Sequence, residues 1–222
     1  MFANPFGVDR KRVQCYNVNK IQALLACICN GMAEEIMKNL RWTSQDLEVL
    51  PDDGKRYEVI DGELFVSKQP HWHHQRTCLR LGALLDIWSL QTKAGIANGA
   101  PGLIFDDDED VAPDIVWISR ERFETSLQAD GKLHVAPELA IEVLSPGTTN
   151  ERRDREAKLK LYSRRGVLEY WVVNWQERRF EIYRRGETGL RLYTILGETD
   201  RLQSPLLPGF SYPLSQLFSE IL

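Results

Sequence analysis

Two short apolar runs, each interrupted by one acid, constrain this chain more than any other feature. The first reads Val111-Ala112-Pro113-Asp114-Ile115-Val116-Trp117-Ile118 and the second Leu139-Ala140-Ile141-Glu142-Val143-Leu144. Runs so rich in β-branched and aliphatic residues are strands covered on both faces. By alternation Asp114 shares a face with Val116 and Ile118, and Glu142 shares one with Ala140 and Leu144. Neither acid has a polar face to occupy. Carboxylates are almost never fully buried unless they are paired or bind a metal, so a cation has to lie close to both.

The helix expected after the second strand supplies one. At about 100° per residue, with Ala157 set at zero, Leu161 falls at about 40°, Lys158 at about 100° and Tyr162 at about 140°, so Lys158 lies inside the apolar arc. Lys160, at about 300°, points away, while Arg165 shares the arc one turn later. The trio is either a buried structural ion pair or a metal-dependent phosphodiesterase centre, and the order acid, acid, lysine on strand, strand, helix favours the second. Two carboxylates on adjacent strands make an all-oxygen site suited to Mg²⁺ or Mn²⁺. The lysine would orient or activate the attacking water, and no organic cofactor is implied.

At 222 residues, with 43% hydrophobic and 27% charged, the chain has the composition of an ordinary globular protein. Its longest early apolar run, residues 21–29, is too short to span a bilayer, and no membrane association is expected. Cys15, Cys27, Cys29 and Cys78 show no CxxC spacing, which points to reduced thiols, a cytoplasmic location and no zinc site. Residues 1–36 form an extension or follow a misassigned start, and residues 37–222 form the domain.

Within the domain, Thr43 or Ser44 caps a short helix through Leu50, and Asp61-Gly62 reads as a tight hairpin. Residues 74–93 form a helix, with Leu79, Leu81, Leu84, Leu85 and Trp88 on its core face. Strands follow around residues 102–105, at Asp114 and at Glu142, then the Lys158 helix, a strand at residues 170–173 and a hairpin arm at residues 180–183. The acidic run Asp106 to Asp110 is either a cation site or, as a run of like charges favours, a solvated loop. His71, His73 and His74 are either ligands or, as their position at a turn leading into a helix favours, surface or capping residues.

A net charge of −4 argues against indiscriminate nucleic-acid binding. Between Glu151 and Arg165, however, seven basic residues face three acidic ones, a local balance of +4. This strip, with Arg152, Arg153, Arg155 and Lys160, is either a phosphate-contacting surface for DNA or a solvated helix face.

Pro113-Asp114 followed by Glu142-Val143-Leu144 resembles the PD-(D/E)XK nuclease signature. The wider text is similar to the Uma family of restriction-type endonucleases: Arg56-Tyr57-Glu58-Val59-Ile60-Asp61-Gly62-Glu63-Leu64, His74 opening a helix, Ala112-Pro113-Asp114-Ile115, Ile141-Glu142-Val143-Leu144-Ser145-Pro146, Asp154-Arg155 with Lys158, residues 166–173, and Leu207-Pro208-Gly209-Phe210. The resemblance spans roughly residues 40–222. It implies an α/β (α+β) restriction-endonuclease-like core, a central mixed sheet flanked by helices in αβββαβ order with added β-hairpins. It also implies Asp114 and Glu142 as metal ligands, Lys158 as the catalytic lysine and Glu58 as a further acid at the site. Two positions depart from it: Leu144 stands where the superfamily signature has its lysine, and Asn174 where the family has aspartate.

The function expected is a Mg²⁺-dependent endonuclease hydrolysing DNA. The alternative is a nucleic-acid-binding or regulatory module on the same fold without turnover. Cutting both strands needs two sites, which makes a homodimer a natural partner arrangement.

Overall fold

The computed structural model describes residues 40–145, 147 and 151–219. The extension at residues 1–36, the apolar run at residues 21–29 and the cysteines Cys15, Cys27 and Cys29 lie outside the described residues. Among the described residues, no helix is long and apolar enough to cross a membrane.

Helix α1 (Ser44–Leu47) opens the described chain. Thr43 and Asp46 cap it reciprocally, the side chain of each meeting the other's backbone N–H. Strands β1 (Arg56–Ile60) and β2 (Glu63–Ser67) form the expected hairpin, with Asp61 and Gly62 at φ 53° and 74°. Two consecutive left-handed residues are what a two-residue hairpin turn needs, and Asp-Gly tolerates them. Helix α2 (Trp72–Thr92) follows, capped by the His71 side chain and closed by Lys93 in the left-handed region.

Next come β3 (Gly95–Gly99), β4 (Leu103–Asp106), β5 (Glu109–Val111), β6 (Ile115–Ser119), helix α3 (Arg120–Ser126) and β7 (Leu139–Val143). A π-helical turn, Arg153–Lys158, runs directly into α4 (Leu159–Arg165). The chain ends with β8 (Glu169–Asn174), β9 (Arg179–Gly186), β10 (Gly189–Leu196), β11 (Arg201–Gln203), β12 (Ser211–Pro213) and α5 (Leu214–Ser219).

The central sheet has six strands in the order β10-β9-β8-β7-β6-β3. Its pairs are antiparallel except β7 with β8. A parallel neighbour requires a crossover, which the π-turn and α4 supply. Both faces are covered, as the apolar runs require. Ile115, Trp117, Leu139, Ile141, Val143, Trp171 and Val173 pack with Leu81, Leu85 and Trp88 of α2 and with Leu217 and Phe218 of α5. Val116, Ile118, Ala140, Leu144, Tyr170 and Val172 pack on the other side with Leu161 and Tyr162 of α4.

A second, four-stranded sheet has the order β2-β1-β5-β4, and here two expectations are corrected. The strand near residues 102–105 belongs to this second sheet, whereas the partner of β6 in the central sheet is β3. The αβββαβ order therefore holds with β3, β6 and β7 as its three strands. β3 reads Gly-Ile-Ala-Asn-Gly, which carries little strand signal. It fits because Gly95 brings its backbone against Trp117, where a Cβ would fall 2.5 Å from the indole.

The acidic run is not a solvated loop throughout. Glu109 and Asp110 are buried in β5, where Arg164 and Arg165 bind Glu109 and Lys132 binds Asp110. Leu79 is likewise not a core residue of α2, for it is 64% exposed.

Candidate active site

The register of the two acid-bearing strands builds the site. Ile115 lies opposite Ile141, so one step along the antiparallel pair sets Asp114 against Glu142, with both side chains on the same face. Asp114 is held from both sides. Its Oδ2 accepts from the Val143 N–H at 2.9 Å and meets His74 Nε2 at 3.1 Å, while Oδ1 accepts from Arg56 at 3.2 Å. Strand β1 clamps the approach to Asp114: Arg56, besides holding the carboxylate, donates to the Ala112 carbonyl, and Glu58 accepts from the Ala112 N–H.

Lys158 is 0% exposed. Its ammonium lies 2.8 Å from Glu142 Oε1 and 2.9 Å from Glu58 Oε1. Tyr162, one turn on, donates to the same Glu142 oxygen at 3.0 Å. The neighbours of Lys158 lie elsewhere, since Lys160 is exposed and Arg165 turns to Glu109. The π-turn gives a reason for the crowding. Residues five apart on an α-helix diverge by about 140°, but an i→i+5 turn brings them toward one column. Arg153 and Lys158 thereby both reach Glu58, Arg153 at 3.5 Å, while Arg153 also holds Asp154 at 2.8 Å.

Four buried carboxylates, Glu58, Asp114, Glu142 and Asp154, thus share Arg56, Arg153 and Lys158. Burial pushes the Glu142 carboxyl up to about 8 against the pull of Lys158, and Asp114, Asp154 and Glu58 add to the push. Asp154 is raised by burial against Lys158 and Arg153, with Asp114 adding to the rise. Asp114 goes the other way. Burial opposes its charge, but the His74 imidazole, Lys158 and the Val143 amide outweigh burial and hold it well below the carboxylate range. Glu58 is also lowered, because Lys158 and Arg153 overcome its burial. Glu58 Oε2 and Asp154 Oδ2 are buried without a hydrogen bond, which marks the cluster as short of positive charge.

Asp114 forms part of the wall of a cleft of about 710 Å³, with Lys55, Arg56, Lys68 and Arg153 among its cationic lining and Ser67 and Ser145 beside them. Of the four basic residues expected to contact DNA, Arg153 lines this cleft, and Arg152, Arg155 and Lys160 do not. Arg152 pairs with Glu156, and Arg155 with Glu181.

Sequence reasoning gave no site role to Arg56, Asp154 or Cys78, and it read His74 as a surface or capping residue, whereas the ring is buried against Asp114. A signal for His74 was present. It falls on the same helical face as Thr77, Leu81, Leu85 and Trp88, all buried, so a polar ring there must meet a polar partner. Cys78, one turn along α2, faces His74 Nδ1 at 3.6 Å. Donor atoms of His74, Cys78 and Asp114 lie within 4.8 Å of one another. Burial and the nearby charges of Asp114 and Glu142 push the Cys78 thiol far above its usual range. His71 caps α2 and stacks on Trp175, as its turn position suggested. Asn174 ends β8 and accepts from Glu177 N–H, closing a turn as aspartate would.

Acids facing each other on adjacent antiparallel strands, with a lysine delivered by the crossover helix, define a restriction-endonuclease-like protein. Residues 44–215 match the model of the Uma2 family, described as "Putative restriction endonuclease", and the chain belongs to that family. The fold is similar to the crystal structure of a "putative nuclease" from Anabaena variabilis ATCC 29413, with a TM-score of 0.64 and 19% identity over 81% of this chain and 99% of that one. No match is found among the curated proteins.

Proposed function

We propose that the protein is a cytoplasmic, Mg²⁺- or Mn²⁺-dependent endonuclease that hydrolyses phosphodiester bonds in DNA. One observation carries the reading. Asp114, at the wall of a cationic cleft, sits opposite the buried Glu142 inside a cluster with more carboxylates than local cations. A divalent cation would correct that imbalance: Asp114 and His74 offer donor atoms within 4.8 Å of each other, and Glu142 would join them from the facing strand. Bound there, the ion would polarise the scissile phosphate and offset the charge developing on the departing oxygen.

The chain's own groups do the positioning. Lys158 and Tyr162 fix the Glu142 carboxylate, Lys158 also holds Glu58, and Glu58 in turn fixes the backbone just before Asp114. In this arrangement Lys158 is a positioning residue, and orientation of water by its ammonium requires the Glu142 pair to loosen. Lys55, Arg56, Lys68 and Arg153 would donate to phosphate oxygens along the cleft, contacts that set register without reading sequence. Nicking of supercoiled plasmid in Mg²⁺ or Mn²⁺, lost in EDTA and in Asp114→Ala and Glu142→Ala, tests the reading. Unchanged cutting in both variants contradicts it.

A second reading, a nucleic-acid-binding module without turnover, draws on the engagement of Asp114 and Glu142 by the chain's own donors, Arg56, His74, Val143, Lys158 and Tyr162. DNA retained by the protein yet uncut in both ions would favour it.

A further inference from the structure

We propose that His74, Cys78 and Asp114 form a site for Zn²⁺ or a similarly thiophilic divalent ion, and that an ion bound there blocks cleavage by withdrawing Asp114 and His74 from the Mg²⁺ site. The ion site stands on geometry alone, whereas the block rests on the nuclease reading.

His74 and Cys78 lie one turn apart on α2, so both side chains leave the helix on the same side. Asp114, just before β6, meets them there. The imidazole stands between the other two groups, with Nε2 3.1 Å from Asp114 Oδ2 and Nδ1 3.6 Å from the Cys78 sulfur. Zinc bonds of about 2.0 to 2.3 Å set tetrahedral ligand atoms about 3.3 to 3.8 Å apart. The three donors already lie within 4.8 Å of one another, so they have to close by about 1.5 Å at most. Rotation about the side-chain bonds of His74 and Cys78 supplies that movement.

The donor chemistry selects the ion. One nitrogen, one sulfur and one oxygen make a zinc-type set, whereas Mg²⁺ takes oxygen. The cysteine spacing that argued against zinc counted thiols alone; α2 pairs one thiol with one imidazole instead. Asp114 and Glu142, whose charges help to keep the thiol protonated, attract a cation for the same reason. Binding forms a metal–sulfur bond and releases the thiol proton to water. Arg56 holds Asp114 Oδ1, which leaves Oδ2 facing the histidine and the thiol. Access exists as well. Cys78 and Asp114 line a cavity of about 420 Å³ between α2 and β3, distinct from the cationic cleft, with which it shares Arg56 and Asp114. An ion reaches the thiol without crossing the cleft proposed for DNA.

Co²⁺ titrated into the full chain carrying Cys15→Ser, Cys27→Ser and Cys29→Ser, so that Cys78 is the sole thiol, tests the site. A thiolate-to-cobalt charge-transfer band should appear, bleached by Zn²⁺ and not by Mg²⁺. Cys78→Ser should abolish the band, and His74→Ala should weaken Co²⁺ affinity at least about tenfold, each with unchanged circular dichroism. No band, or one indifferent to His74→Ala, overturns the site. In Mg²⁺, added Zn²⁺ should inhibit plasmid nicking, and Cys78→Ser should require at least about ten times more Zn²⁺ for the same inhibition. Equal sensitivity overturns the block. The band is read without DNA, so the ion site and the nuclease reading fail separately.

Discussion

Two groups of buried acids in this protein are built on opposite plans. Glu109 on β5 is buried, and two guanidinium groups, Arg164 and Arg165, bind it while remaining partly open to water. There the cations outnumber the buried acid. Around Lys158 the proportion is reversed, with Glu58, Asp114, Glu142 and Asp154 sharing Lys158, Arg153 and Arg56. One buried acid met by two cations, whose other partners Asp61 and Asp106 are exposed, needs nothing further and ties β5 to the crossover helix. A group of acids short of cations retains capacity for a divalent ion. On the proposed function, the local balance of charge, rather than burial alone, separates a structural acid from a functional one.

The largest effect that sharpens this contrast is on activity. Asp114→Ala or Glu142→Ala should lower cleavage at least about a thousandfold, equivalent to about 4 kcal/mol of barrier, with the circular dichroism of the folded protein retained. Glu109→Gln should leave cleavage within a few-fold of wild type. Equal losses in all three would erase the distinction.

Removing cations should destabilise both groups. Lys158→Met strands Glu142 and Glu58, and Arg164→Ala with Arg165→Ala strands Glu109. Each change should cost about 3 to 5 kcal/mol in urea unfolding, the usual penalty for an uncompensated buried charge. A cost under about 1 kcal/mol at either place would show that water reaches the acid.

A smaller effect separates the groups by pH. Glu142 is raised to about 8 in the folded protein, above the roughly 4.3 of an unperturbed glutamate. Between those values the folded state holds a proton that the unfolded state has released. In EDTA, the Glu142 contribution to wild-type stability should therefore fall as pH rises through that window. Glu142→Gln should remove this slope and gain on wild type toward pH 9. Parallel thermal-midpoint curves for the two proteins would contradict the assignment.

The central sheet and the acid-acid-lysine trio were legible because each rests on local pattern. β6 and β7 announce themselves as doubly covered strands, and Lys158 by its place on an apolar arc. What escaped depends on partners distant in sequence. β3 carries two glycines in five residues and is a strand because Trp117 and β6 receive it. Glu109 looks solvated within its acidic run until Arg164 and Arg165 arrive from another element. Leu79 fits the core periodicity of α2 but sits on its outer edge, a distinction that spacing alone resolves poorly when both sides of a helix carry leucine. The π-turn that gathers Arg153 and Lys158 onto Glu58 has no local signature in the sequence.

The most direct test of the charge-balance account is thermal unfolding of wild type, Asp114→Ala and Glu109→Gln, each in EDTA, Mg²⁺ and Mn²⁺. Binding to the folded state alone raises stability with ion concentration. The account predicts a metal-dependent rise in wild type and in Glu109→Gln and none in Asp114→Ala. No rise in wild type, or an equal rise in all three proteins, would contradict it.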